Sequence, residues 1–402
     1  MQVRFLETTD AAALRARYAG LSAADAQRLA AGAEARVLVV DPPLSQPARD
    51  ALQAAGAVLA ADGPTLLLAL TRAQALAARD RAPAELDLLL AALDRAREPA
   101  PVLRLRERVL DLSDQAQVMG IVNVTPDSFY QRVDGVAAAL EKARGIAADG
   151  AALIDLGGQS YAHWNARVAP EAERERVVPA VRALVAAQLD VAISVDTFTA
   201  GVADAALAAG AHLINDCSGL SDPALAPVVA AHGAGLVVMH LRGELNLRQP
   251  ERYVYRDALA EIVEFLYART EHALACGVSR DAIAIDPGLE FGKEPATDLE
   301  ILERFGELRA LGYPILFASS RKSFIGRIFG RPAAELLVPS LATAALGLAA
   351  GARLLRVHDV AETVQLARML AAVRPERRAA LPLAAAMPGT PLPGNPADSP
   401  AV

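Results

Sequence analysis

Eight times between Met119 and Asp359 an apolar run stops on a side chain with chemistry to offer. MGIVN stops at Asn123, AALIDL carries Asp155, ISVD ends at Asp196, LIND holds Asn215, LVVMH ends in Met239 and His240, and IAID ends at Asp286. Two further runs, PILFASSRKS and LLRVHD, deliver Ser320 with Lys322 and Arg356 with His358. Between them lie helix-compatible stretches at 136–149, 170–188, 199–209, 223–232, 256–277, 298–311, 322–330 with 335–351, and 360–372. Strands alternating with helices over short connections require a parallel sheet, and eight such units close into a barrel. Polar residues at strand C-termini are how a (β/α)8 barrel builds an active site. The expected fold class is therefore α/β, a (β/α)8 TIM barrel over residues 111–375.

A barrel takes roughly 250 residues, and this chain has 402. Residues 1–110 carry strand-like runs at 35–40 and 65–70 and helical patterning over 72–97, which predicts a small α/β subdomain for packing or assembly. The last stretch, 387–402 (MPGTPLPGNPADSPAV), is rich in Pro and Gly with nothing to bury, and is expected to be a flexible tail. Although 53% of residues are apolar, no uncharged run approaches the roughly 20 residues of a membrane span, so no membrane partner is expected. The N-terminus lacks the basic and apolar regions of a signal peptide. Two cysteines, Cys217 and Cys276, supply neither a disulfide framework nor a zinc site, and a cytoplasmic, reducing location follows as the expectation. A net charge of −7 without a basic block excludes the electrostatic footprint of a nucleic-acid binder.

Asp155, Asp196, Asn215 and Asp286 share one barrel mouth. Carboxylates accept hydrogen bonds and an amide both accepts and donates, a mixture that suits a heterocycle with several N–H donors and ring acceptors. A divalent metal cage is the rival reading, although cages for hard ions want several clustered oxygens and only Asn123 stands where a phosphate-bound Mg2+ belongs. Each Asp is also a candidate helix N-cap, Asp196 above all because Thr197 follows it. Ser319 to Ser323 opens a helix after strand seven, and Arg356 and His358 close strand eight on one face. Barrel phosphate sites sit at these two loops, where a helix N-terminus offers free N–H groups. The placement predicts a phosphorylated substrate, against the plainer alternative that Arg356 pairs with Asp359 and Lys322 is solvated. Gly292-Lys293 lacks the spacing of a Walker loop.

Taken together, MGIVNVTPDSF, IDLGGQS, ISVDT, INDCSG, VVMH, DPGLEFGK, SRKSFIG and RVHDV resemble, in order, the motifs of the dihydropteroate synthase family, pterin-binding TIM barrels. The resemblance covers the barrel region. It implies a transferase of folate biosynthesis that condenses p-aminobenzoate with 6-hydroxymethyl-7,8-dihydropterin pyrophosphate, with Mg2+, giving 7,8-dihydropteroate and pyrophosphate. It further implies that Asp155, Asp196, Lys322 and Arg356 are catalytic and that Asp196, Asn215 and Asp286 bind the pterin ring, with Lys322 over it and Met239 nearby. Asn123, the metal-site residue, would act with Ser320, Arg356 and His358 on the pyrophosphate and its metal. Phe291 and Ser323 would border the aminobenzoate, and a homodimer through the later helices is implied.

The loop after strand two departs from the family. Where the family reads GGESTRPG, this chain reads Gly157-Gly158-Gln159-Ser160-Tyr161-Ala162-His163-Trp164. The Thr and Pro of the aminobenzoate pocket and the Arg over the phosphate end are gone, and Ala162 cannot replace a guanidinium's bidentate contacts. The first loop is altered from Tyr130 to Gly135, and Glu290 and Ala318 stand where glycine is usual. Three readings follow. One is a dihydropteroate synthase with diverged loops. Another is a pterin-binding homologue without this condensation, or with another arylamine stacked on Tyr161 and Trp164. The third is a methyltetrahydrofolate-type methyltransferase barrel, which would have no use for Lys322 or the Arg356/His358 pair.

Overall fold

The computed structural model describes residues 2–6, 14, 18, 21–30, 36–41, 43–62, 65–97, 102–125, 135–159, 168–243 and 254–373. Ser160, Tyr161 and the rest of the altered loop, the altered first loop up to Asp134, and the Pro-rich tail lie outside the described residues. Among the described residues no helix is long and apolar enough to cross a membrane.

The N-terminal unit holds four strands where the apolar runs alone indicated two. They are β1 (Gln2–Leu6), β2 (Arg36–Asp41), β3 (Val58–Asp62) and β4 (Thr65–Leu70), paired antiparallel in the order β1-β2-β4-β3. The unbroken run TLLLAL of β4 is explained by burial on both faces. Leu66, Leu68 and Leu70 pack with Leu52, Leu86 and Leu89, while Leu67 and Ala69 pack with Leu14, Ala26 and Leu29. The helical stretch over 72–97 is interrupted by a 3-10 turn at Arg79–Arg81, so it forms two helices, Arg72–Ala78 and Pro83–Arg97. Thr71 caps the first through a reciprocal bond with Gln74.

A hairpin, β5 (Val102–Leu105) and β6 (Arg108–Asp111), follows. The sequence grouped it with the first 110 residues, but it packs under the barrel. Leu103, Leu105 and Leu112 join one inward residue from each barrel strand. Arg106 Nη1 donates to the carbonyls of Leu207 and Ala211, and Arg104 pairs with Asp281 at 2.9 Å. Gly235 makes room for the plug, since a Cβ there would lie 2.4 Å from Leu105 Cδ2.

The barrel strands are β7 (Gln117–Asn123), β8 (Leu153–Gly157), β9 (Ala192–Asp196), β10 (Leu213–Asp216), β11 (Gly235–Met239), β12 (Ile283–Asp286), β13 (Leu316–Phe317) and β14 (Leu354–Val357). They form one parallel sheet in the order β12-β11-β10-β9-β8-β7-β14-β13. A single parallel bridge, Ile285 to Ile315, with Ile285 N donating to Pro314 O at 2.9 Å, joins its two edges. Both faces of this sheet are covered, which is why its strands read as continuous apolar runs. Outward residues such as Ile154, Val195, Ile214 and Val238 meet the surrounding helices. Inward residues Met119, Leu153, Ala192, Leu213, Val237, Ala284, Leu316 and Leu354 make an apolar floor over the hairpin plug.

Leu105 is fully buried in that plug. Leu105→Ala should cost about 2–5 kcal/mol, because the floor strands cannot collapse into the space left behind. Urea unfolding checks it, and a loss below about 1 kcal/mol would show that the hairpin does not seal the barrel.

Candidate active site

Side chains two apart on a strand share a face. The residue two or four positions beyond each floor residue therefore also points inward, one layer nearer the mouth. That arithmetic takes Leu153 to Asp155, Ala192 to Ser194 and Asp196, Leu213 to Asn215, Val237 to Met239, Ala284 to Asp286, and Leu354 to Arg356. Register sharpens the placement, because Asp155 stands opposite Ser194, Asp196 opposite Asn215, and Met239 opposite Asp286.

Asp155, Ser194, Asp196, Asn215 and Arg356 form one network. Arg356 Nε donates to Asp155 Oδ2 at 2.6 Å, and its Nη2 donates to Asp196 Oδ2 at 2.7 Å. Asn215 Nδ2 donates to the same Asp155 Oδ2 at 3.1 Å, and Ser194 Oγ donates to Oδ1 at 2.5 Å. Asp155 is 0% exposed, so it works by holding Arg356 and Asn215 in place. Burial pushes Asp196 up to about 8; Arg356 pulls it down, and Asp155 pushes it up again. Burial likewise raises Asp286, with Lys322 opposing. Neither carboxylate is a helix N-cap: the helix Ala200–Ala208 begins with no side-chain cap from Thr199, and Asp286 Oδ1 accepts from Gly288 N at 2.7 Å in its own turn. Beside the network, Phe198, Cys217 and Met239 form a small apolar cluster with Phe291 packed against it.

The turn after β12 forms the opposite wall. Lys322 Nζ donates to Leu289 O at 2.6 Å and lies 4.9 Å from the centre of the Phe291 ring, so it is not a solvated lysine. Glu290 sits at φ 71°, in the left-handed region that explains why glycine is usual there. Its carboxylate instead accepts from Phe324 N at 2.6 Å and so caps the helix Ser323–Phe329.

At the end expected for an anion, Ser320 Oγ accepts from His358 N at 3.2 Å and lies 3.1 Å from His358 Nδ1. With the Ser320 proton directed at Nδ1, Nε2 carries the N–H of the ring. Burial first, then Arg356, Lys142 and Arg321, lower His358 to about 3, so the ring is neutral. The alternative pairing of Arg356 with Asp359 is overturned: Arg321 takes Asp359 in a two-point bond at 2.8 and 2.7 Å. Arg321 also donates to the carbonyls of Ala333 and Ala334 and so braces the loop carrying Ser320. Ser323 begins the following helix. Asn123 ends β7, between β8 and β14, with its Oδ1 over Gly157. Among the described residues no group of three or more His, Cys, Asp or Glu is arranged to hold a metal ion. A magnesium ion held mainly by phosphate oxygens and water needs only a side-chain oxygen such as that of Asn123.

Sequence reasoning missed Ser194, Arg321, Phe198 and Cys217. Alternation along ISVD was signal enough for Ser194; the partnership of Arg321 with Asp359 spans 38 positions and has no local signature.

The sequence model of the family described as "Pterin binding enzyme" matches residues 119–358. The dihydropteroate synthase of Bacillus subtilis is 38% identical over 275 residues, covering 68% of this chain and 93% of that protein. The "inactive dihydropteroate synthase 2" of Mycobacterium tuberculosis H37Rv is 42% identical over 267 residues, covering 65% of this chain and 84% of that protein. Among solved structures, Xanthomonas albilineans dihydropteroate synthase with 4-aminobenzoic acid matches with a TM-score of 0.63 at 39% identity, covering 68% of this chain and 98% of that one.

Arg356→Met would leave two carboxylates in an apolar mouth without their shared cation, at a cost of about 3–5 kcal/mol at pH 8. Asp196 has a folded-state value above the unfolded value of about 3.9, so the folded protein takes up a proton as pH falls from 8. Because the group is already about half protonated at pH 8, the penalty should be larger at pH 10 than at pH 6. Urea titrations at both pH values check this, and equal penalties would mean that the guanidinium is not there to hold the carboxylates.

Proposed function

The chain belongs to the dihydropteroate synthase family of pterin-binding enzymes, and we propose that it condenses p-aminobenzoate with 6-hydroxymethyl-7,8-dihydropterin pyrophosphate. The observation that carries this reading is the ring of Asp196, Asn215 and Asp286 at one mouth with Arg356, Ser320 and His358. A pterin edge rich in N–H groups fits the first set, and a leaving pyrophosphate fits the second.

The reaction asks for little covalent chemistry from the protein. As the C–O bond to pyrophosphate stretches, positive charge develops on the electron-rich dihydropterin. Asp196 and Asp286 stabilise it in their ionised forms, which Arg356 and Lys322 favour against burial and the developing cation favours further, in a site where Met239 and Phe198 keep water out. Arg356, with Nε and Nη2 committed to Asp155 and Asp196, has Nη1 to direct at the departing anion, and neutral His358 offers Nε2–H. The aminobenzoate nitrogen then bonds to the methylene carbon and sheds a proton to the departing pyrophosphate. Phe291, Ser323 and Lys322 hold the amine in line. Asn123 would hold a magnesium ion at the pyrophosphate, and the ion would supply charge neutralisation there. We place the enzyme in the cytoplasm as a homodimer. Ile328, Phe329, Val338, Leu346 and Met369, exposed apolar residues of the last three helices, are the face we assign to the partner copy.

A second reading, pterin binding without this condensation, is favoured by the likeness to a relative called inactive and by the loop sequence Gln159 to Trp164. Pyrophosphate release measured with and without p-aminobenzoate, with the pterin product weighed by mass spectrometry, separates the two. Amine-dependent release with dihydropteroate formed is the expected result; tight pterin binding with no such product would replace the first reading by the second. Asp196→Ala should weaken pterin pyrophosphate binding on the order of 100-fold, since charge-assisted hydrogen bonds are lost. Tyr161→Ala should change only the amine's affinity. Normal pterin binding by Asp196→Ala, read by calorimetry, would place the pterin elsewhere.

A further inference from the structure

The turn from Asp286 to Lys293 contains three residues in the left-handed region, Gly288, Glu290 and Gly292, at φ 66°, 71° and 67°. Beyond the internal bonds of Phe291 N to Gly288 O at 3.1 Å and Gly288 N to Asp286 Oδ1, the shape of the turn is set by surrounding side chains. Lys293 does most of this. Its Nζ donates to Gly288 O at 2.7 Å and to Phe291 O at 2.9 Å, and lies 2.9 Å from His240 Nδ1. Burial first, then Lys293 and Arg242, lower His240 to about 2, so its ring is neutral and Nδ1 can accept.

We propose that Lys293 is a positioning residue for the acceptor side of the site, shaping the turn Gly288 to Phe291 and, through it, the places of Phe291 and Lys322. With His240 O at 3.5 Å there are four acceptors around Nζ, and the three nearest match the three N–H bonds of an ammonium. Without the cation, Phe291 O loses the Nζ donor and Gly288 O keeps Phe291 N at 3.1 Å. The link onward is direct, because Leu289 O, between those carbonyls, accepts from Lys322 Nζ, and Phe291 is the ring beneath that ammonium. The turn is also docked hard against the exit of β11. A Cβ on Gly288 would lie 2.1 Å from His240 O, and one on Gly292 2.2 Å from Arg242 O. The turn therefore cannot relax toward β11 when the ammonium is lost; it opens toward Phe291. Burial lowers Lys293 to about 7, a cost that a solvated surface lysine would avoid.

This inference rests on the reading of Phe291 and Lys322 as groups that meet the amine. Lys293→Met should raise KM for p-aminobenzoate tenfold or more while kcat and the Kd for pterin pyrophosphate change less than threefold. His240→Ala removes one acceptor only, and the double variant should be no worse than Lys293→Met because the two side chains act as one strut. Hydrogen exchange read by mass spectrometry gives a measure independent of turnover: amides 288–292 should exchange at least tenfold faster in Lys293→Met, with the barrel strands unchanged. Parallel losses in both substrates, or unaltered exchange over 288–292 in both single variants, would overturn the proposal. Absence of dihydropteroate from the wild-type protein would instead remove the condensation reading and leave the exchange result to judge the turn.

Discussion

A single guanidinium organises the mouth of this barrel. Arg356 reaches from β14 over the end of β7 to carboxylates on β8 and β9, joining three strands that are not all neighbours. Each partner depends on the others. Asp155 has no exposure and would be costly as a lone charge; it is kept by Arg356, Asn215 and Ser194 together. Asp196, held from one side by Arg356, keeps its place above the apolar floor. The same cation is thus a strut between strands and the positive pole of the site, and its two roles use different nitrogens of one planar fork.

The acceptor wall is built on another principle. There the backbone supplies the acceptors, and side chains from three separate elements supply donors: Lys293 within the turn, Lys322 from the loop after β13, and Tyr255, whose hydroxyl donates to Gly292 O at 3.1 Å. Asp298 completes the frame by accepting from Glu290 N at 2.9 Å. A wall assembled this way holds a ring by shape, whereas the floor holds a heterocycle by matched donors and acceptors.

The eight barrel strands, their order of chemistry and nearly all the helices were legible in the sequence, because inward and outward burial writes apolar runs and the site writes polar stops. Helix ends shifted by a residue or two where capping decided them; the stretch after Pro295 ends at Glu303 and continues as a 3-10 turn, Phe305–Leu311. β1 and β3 were not legible, since VLAAD is short with no alternation of its own and QVRFL alternates only from Gln2 to Phe5. The hairpin plug escaped because its meaning lies in what it fills. In the site, which residues gather was readable from alternation, but which pairs with which was not. Asp359 looked like the natural partner of Arg356 three positions away, yet the barrel's curvature sends Arg356 inward and leaves Asp359 to Arg321.

The sheet is not equally knit all the way round. β13 spans two residues, and the junction between β12 and β13 is one bridge outside the named strands. This seam runs up into the site, with Asp286 on one lip and Ser320 on the other. The separation between the groups assigned to the ring and those assigned to the anion is therefore set at the least hydrogen-bonded joint of the cylinder. Small parting there changes the aperture of the mouth while the remaining strands, stitched along their length, stay in register.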